Sequence, residues 1–174
     1  MAADIAVSKR CFLPVADERT RLLILGSLPG DASLAAGQYY AHPRNRFWEL
    51  LGQAIGVELR ALDYPRRLEA LLARGVGLWD VIAEAERKGS LDAAIRNQTG
   101  NALAELAASL PALRAVAFNG GTAARIGRRQ LKAVADRLQL IDLPSSSPAH
   151  TLALADKQRV WSSLGDALAA ADRR

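Results

Sequence analysis

The sequence predicts a three-layer α/β/α sandwich built on a central, mainly parallel four-stranded sheet. Three observations lead there. Four short apolar runs occur, at 22–25, 76–82, 115–118 and 138–143, three of them closed by Gly26, Asn119 or Pro144 and the second carrying Asp80. The stretches between them carry apolar residues at helical spacing, and strands alternating with helices give a parallel sheet covered on both faces. At 174 residues and 18.6 kDa the chain has the length of one domain with one core, so residues 1–174 are read as a single domain.

The first run, Leu22 to Leu25, closes on Gly26 and the Pro29-Gly30 punctuation, as a buried strand feeding a loop does. Phe47, Leu50, Leu51, Ala54 and Ile55 then recur on one helical face, predicting a helix from about Arg46 to Ile55. Asp63 is placed to cap a second helix, with Pro65 in its first turn and Gly75 just past its end. Val76 to Ile82 is the second strand. Ser90 is positioned to cap a short helix through LDAAIR, and a helix holding Leu103, Leu106 and Leu110 stops at Pro111. Ala115 to Phe118 form the third strand, followed by one basic helix, TAARIGRRQLKAVADRL. Leu138 to Leu143 form the fourth. A last helix, about Asp156 to Ala170, shows Val160, Trp161, Leu164 and Leu168 on one face. In such sheets ligands bind beyond the carboxyl ends of the strands, so GSLPG, LWD, FNGG and LPSSSPAH are expected to converge.

Composition narrows the chemistry. Half the residues are apolar and no run is long enough to cross a bilayer, while MAADIAVSKR lacks the apolar centre of a signal peptide. A cytoplasmic protein with no membrane partner is expected. One cysteine, Cys11, excludes an intrachain disulfide and a Cys-rich metal site, and His42 and His150 are too few for a histidine-built one. Neither a metal nor a cofactor is expected. Of 23 basic residues only Lys9, Lys88, Lys132 and Lys157 are lysines, so the net +5 is carried by arginine, whose rigid fork suits phosphate. The Gly26 to Gly30 loop fits neither GxxxxGK[ST] nor GxGxxG, and Ser27 lacks the second glycine of a nucleophile elbow.

Two polar concentrations remain. QYYAHPRNRFW sets two tyrosines, a histidine, two arginines and Asn45 immediately before a helix. Asn45 there can cap the helix, and a side-chain amide held at that point can also present its carbonyl oxygen to water while Arg44 or Arg46 holds phosphate. PSSSPAH reads either as a solvated turn or, at a strand end, as hydroxyl and backbone donors for a phosphate or sugar. Arg125, Arg128 and Arg129 lie on an adjoining helix, as a second basic patch or as its solvated face.

In combination, GSLPG (26–30), SLAAGQYYAHPRNRFW (33–48), LWDVI (78–82), GSLDAAIRN (89–97), FNG (118–120) and LPSSSPAH (143–150) resemble the uracil-DNA glycosylase superfamily, most of all its hypoxanthine-DNA (deoxyinosine) glycosylase branch. The resemblance implies a small uracil-DNA glycosylase-like α/β/α domain that binds damaged double- or single-stranded DNA, extrudes a nucleotide and hydrolyses its base–sugar bond without a metal. It places Tyr40 where an aromatic ring stacks on the flipped base, Asn45 at the catalytic asparagine, and Asp80 where a side chain reads the base edge. Asn119 lies nearby as pocket support. Ser145, Ser146 and Ser147 fall in the second signature loop, which contacts the DNA backbone with His42, Arg44 and Arg46. The first loop, Ser27, Leu28, Pro29 and Gly30, offers backbone amides to the base oxygen.

Departures from the family pattern shift the expected substrate. Uracil-directed relatives carry Asn or Asp where Leu28 stands, and strong uracil enzymes carry a histidine in the second loop where Ser145 to Ser147 stand. Hypoxanthine removal is therefore expected ahead of uracil or mismatched thymine removal. No lysine lies in a signature loop, so a monofunctional enzyme is expected, acting as a monomer in base excision repair. The competing class is a DNA-binding module without catalysis.

Overall fold

The computed structural model describes residues 7–173. In chain order it contains β1 (Ser8–Arg10), β2 (Leu22–Gly26), α1 (Asp31–Ala36), α2 (Phe47–Ile55), α3 (Tyr64–Ala73), β3 (Val76–Asp80), β4 (Ile82–Glu86), β5 (Arg96–Gly100), α4 (Leu103–Ser109), β6 (Ala115–Asn119), α5 (Gly121–Gln130), β7 (Gln139–Leu143), α6 (Leu154–Trp161) and α7 (Ser163–Ala171). The main sheet has the order β3-β2-β6-β7, and all three pairings are parallel.

Alternation along the two central strands creates the layers. Leu22 and Ile24 of β2, with Ala115 and Ala117 of β6, face a core filled by Phe47, Leu51, Leu71, Trp161 and Leu164. Leu23 and Leu25, with Val116 and Phe118, face the opposite core with Leu103, Ala123 and Ile126. Helices α2, α3, α6 and α7 thus cover one face, and α4 and α5 the other. As expected, Asp63 caps α3, its Oδ1 accepting from the Arg66 N–H at 3.1 Å.

Several boundaries differ from the sequence reading. The apolar run from Val76 to Ile82 is two strands, because the chain leaves the main sheet at Val81. There the Val81 N–H donates to the Gly26 carbonyl (2.8 Å) and the Ile82 N–H to the Ser27 carbonyl (3.1 Å). β4 then joins a second, antiparallel sheet of order β1-β4-β5 that the sequence reading lacks. LDAAIR forms only a 3₁₀ turn at Asp92–Ala94 before the backbone extends into β5, since one turn of helix does not repay its own nucleation. The basic helix ends at Gln130 and continues as 3₁₀ turns over Lys132–Arg137. The last helix is two: the Ser162 and Ser163 hydroxyls donate back to the carbonyls of Arg159 (2.7 Å) and Val160 (2.8 Å), the competition with backbone bonding that bends helices. α1 was not anticipated. No helix among the described residues is long and apolar enough to cross a membrane, and residues 1–6 of the opening segment lie outside the described residues.

Candidate active site

The register of the main sheet aligns its carboxyl ends. Gly26 pairs with Asp80, and Asn119 with Leu143, so the first loop (27–30) and the second loop (143–150) leave the same edge. Hydrogen bonds then join segments far apart in sequence. The Asn119 amide donates to the Ser146 hydroxyl and accepts from the Ser146 N–H, both at 2.9 Å. The Ser146 carbonyl accepts from the Arg46 N–H at 3.0 Å, which ties the start of α2 to the second loop. Asn119 and Ser146 are buried, and this reciprocal pairing occupies the Asn119 amide with loop support.

Beneath the first loop lies a pair of buried polar groups with nothing to bond. Neither Asp80 Oδ2 nor the Tyr40 hydroxyl has a hydrogen-bond partner, and both are sealed from solvent. Both groups pack against Gly26, where a Cβ would stand 2.6 Å from Asp80 Oδ1 and 2.7 Å from the Tyr40 hydroxyl. Only glycine at 26 admits so close an approach. Burial, aided by the Asp92 carboxylate and opposed by the Arg87 guanidinium, pushes the Asp80 carboxyl up to about 7. Burial and the nearby Asp80 likewise push the Tyr40 hydroxyl up, and the neighbouring Asn119 amide, whose bonds go to Ser146, only partly offsets them, so the hydroxyl stays a neutral donor. Leaving one such group unsatisfied costs about 1–3 kcal/mol. Two side by side at a strand end mark a place where a ligand supplies the missing donors and acceptors.

Tyr40 is held in this position by an uncommon backbone, with φ at 55°, and by a parallel stack on Phe47 at 3.7 Å between centroids. The Phe47 ring is itself fixed edge-on by Trp48 and Trp161. Asn45 sits one turn away. Its Oδ1 accepts from the Phe47 N–H at 3.0 Å, so the amide does support the start of α2, and it remains half-buried rather than lost in the core. It lines a polar cavity of about 230 Å³ together with Gln38, Tyr40, His42, Arg46 and Arg67; Asp80, Asn119 and the serines are not among its walls.

The remaining expected residues fall around this centre. Ser27 donates to Asp92 Oδ1 at 2.6 Å, and Leu28 and Pro29 are buried. His42 Nδ1 accepts from the exposed Arg44 N–H, and Arg46 pairs with Glu49 at 3.0 Å. Ser145 and Ser147 accept from backbone N–H groups two residues on, shaping the second loop. Arg125 and Arg129 are exposed, whereas Arg128 is paired with Asp142 at 3.0 Å and lies over the Phe118 ring.

Three buried cations were missed by the sequence reading, one of them Lys9 of β1, which donates to Asp31 and to the Gly89 carbonyl. Lys157 of α6 reaches the second loop and donates to the carbonyls of Ser147 (3.2 Å) and His150 (2.9 Å). Its signal was present, because Leu154, Lys157, Trp161 and Leu164 share one helical stripe whose other members face the core. Burial pushes its ammonium down. Arg87, just past β4, holds the first loop from beneath and had no comparable signal.

The model of the Uracil DNA glycosylase superfamily matches residues 13–165, a span that includes every loop described above. The chain belongs to that superfamily. Among curated members of known name, a hypoxanthine DNA glycosylase from Methanosarcina barkeri is 47% identical over 114 residues, covering 66% of this chain and 72% of the relative. A second hypoxanthine DNA glycosylase, from Methanosarcina acetivorans, is 39% identical over 153 residues, 88% of this chain and 95% of its own. A solution NMR structure from Methanosarcina acetivorans, described as a candidate uracil DNA glycosylase, superposes with a TM-score of 0.83 at 37% identity, covering 94% of this chain and 99% of that one. The parallel sheet and its flanking helices are thus the uracil DNA glycosylase architecture, and the antiparallel β1-β4-β5 sheet is attached at the strand end that carries Asp80.

Proposed function

We propose that this chain is a monofunctional DNA glycosylase that releases hypoxanthine from deoxyinosine, acting as a monomer on one lesion at a time. The observation that carries the reading is the unpartnered Asp80–Tyr40 pair facing Gly26. Hypoxanthine carries an N1–H donor and an O6 acceptor, whereas adenine has no N1–H and presents an amino group. An ionised Asp80 accepts the N1–H, whereas adenine sets an unprotonated N1 against that carboxylate and an amino donor where the loop amides expect an acceptor, the kind of mismatch that discriminates most strongly. The identity of the two curated relatives supports the same substrate.

The steps follow from the groups in place. Extruding the nucleotide costs a few kcal/mol and least at a damaged pair. Phe47 covers one face of Tyr40, and the extruded base stacks on the other, a contact worth about 1–3 kcal/mol. Asn45, fixed by the Phe47 N–H, uses the second lone pair of its Oδ1 to orient water toward C1′. Water adds to C1′, the C1′–N9 bond breaks, the base leaves with the electron pair, and the proton shed by the water neutralises the departing base anion. First-loop amides receive the charge that builds on O6, and DNA phosphates favour the cationic sugar.

A panel of otherwise identical duplexes carrying inosine, xanthine, uracil or mismatched thymine, followed by alkaline cleavage of abasic sites, tests this. Hypoxanthine release should be fastest. Faster uracil or thymine release would move the substrate within the superfamily, and DNA binding with no free base would make the chain a binding module.

Two further outcomes follow. Lys157 is buried and donates to two carbonyls, so no amine is free for attack at C1′ in the second loop, and borohydride should trap no covalent enzyme–DNA adduct. Arg44 and Arg46 are exposed beside Asn45, so affinity for inosine-containing DNA should fall as salt rises, by about one power of salt per phosphate contacted. Titrations of Arg44→Ala and Arg46→Ala should each show a shallower slope by roughly 1.

A further inference from the structure

Arg87 is the most deeply buried charged residue among those described, at 1% exposure. Its guanidinium donates to the carbonyls of Gly89 (3.1 Å), Leu28 (3.4 Å) and Pro29. Asp92 Oδ1 lies 3.9 Å from the same guanidinium and accepts from the Ser27 hydroxyl at 2.6 Å. One Arg–Asp unit therefore touches three successive residues of the first loop. Removing a guanidinium from water costs several kcal/mol, and an apolar side chain would fill the space more cheaply. What the charge supplies is a fork that fixes several carbonyls at once.

That fixation decides where the loop amides point. The Gly26 and Ser27 carbonyls are taken by the Val81 and Ile82 N–H groups, and the Pro29 carbonyl by Arg87. No cis peptide occurs among the described residues, so in each planar unit the N–H lies opposite its carbonyl. The N–H groups of Ser27, Leu28 and Gly30 are thereby turned away from β4 and Arg87.

We propose that Arg87, braced by Asp92, is a positioning residue that aims the first-loop N–H groups at O6 of the extruded base. The inference rests on the glycosylase reading above. It assigns to a side chain outside both signature loops the preorganisation that makes backbone donors effective at a developing oxyanion. The charged and titratable groups facing the neighbouring Asp80 are Arg87, Asp92, Tyr40, Tyr39 and Cys11, so Arg87 and Asp92 also act on its field with opposite sign.

The test uses non-cleavable 2′-fluoro duplexes that keep N1–H and differ only in the acceptor at position 6, the inosine analogue with O6 against its 6-thio counterpart with the weaker acceptor sulfur. Wild type should prefer the inosine duplex. Arg87→Lys keeps the charge but loses the fork, and Asp92→Asn keeps the shape but loses the brace; each should reduce that preference at least several-fold while circular dichroism and affinity for undamaged DNA stay near wild type. If Arg87→Lys fails to fold, Asp92→Asn, whose side chain is 40% exposed, carries the measurement. A folded variant that keeps the wild-type preference overturns the inference. Wild type that neither prefers the inosine duplex nor releases hypoxanthine instead overturns the glycosylase reading, so the two failures are distinguishable.

Discussion

Asp80→Asn is expected to make the protein more stable at pH 8 and to abolish its preference for hypoxanthine over adenine. The folded-state value near 7 lies above the 3.8 of a free aspartate, so the native state holds the proton more tightly than the unfolded chain does. The resulting stability is complete below pH about 3.8, declines as pH rises, and is lost once pH passes about 7. Above that point wild type carries an ionised, unpartnered carboxylate in its interior, at a cost on the order of 4 kcal/mol. The amide never ionises. Thermal melts at pH 8 should place the variant roughly 10 °C above wild type, with the difference shrinking toward pH 4. Excision should run the other way: hypoxanthine release by wild type rises through pH 7 as the N1–H acceptor forms, and release by the variant is slow and flat. Equal melting temperatures at pH 8, or an unchanged base preference, would remove Asp80 from this role.

Asn45→Ala is expected to lower single-turnover hypoxanthine release by about 100-fold or more, the usual loss when a positioned polar group at the reacting centre is removed. The structure adds a complication that the sequence left open, because the same oxygen supports the Phe47 N–H at the start of α2. Loss of that acceptor costs about 1 kcal/mol of stability by itself. Asn45→Ser separates the two effects: the shorter hydroxyl can accept from the helix start but does not reach where the amide reaches. The serine variant should recover the melting temperature and stay slow, while both variants bind DNA as wild type does. Recovery of excision with the melting temperature would make Asn45 a structural residue only.

The parts of the fold that the sequence revealed are those with one-sided patterns. β2 and β6 are short, wholly apolar and closed by Gly or Asn, and α2 carries its stripe without interruption. The second sheet was hidden because Val81 is buried on both sides of the crossing, so the run from Val76 to Ile82 has no polar residue to mark the change of direction other than Asp80 itself. β5, RNQTG, is exposed throughout and has no strand pattern to read. At the site, family resemblance gathered Tyr40, Asn45, Asp80, Asn119 and Ser145 to Ser147 without indicating their contacts. The Asn119–Ser146 pairing and the Arg87 fork depend on segments 27 to 59 residues apart, and no local pattern encodes such partners.

Whether Asp80 and Tyr40, packed against Gly26, receive the edge of an extruded base is read most directly from a crystal structure with a duplex carrying the non-cleavable 2′-fluoro analogue of deoxyinosine. The account predicts a flipped hypoxanthine over the uncovered face of Tyr40, with N1 about 2.7–3.2 Å from a carboxylate oxygen of Asp80. A base seated instead in the cavity bounded by Gln38, His42 and Arg67, with Asp80 and the Tyr40 hydroxyl still unpaired, would contradict it.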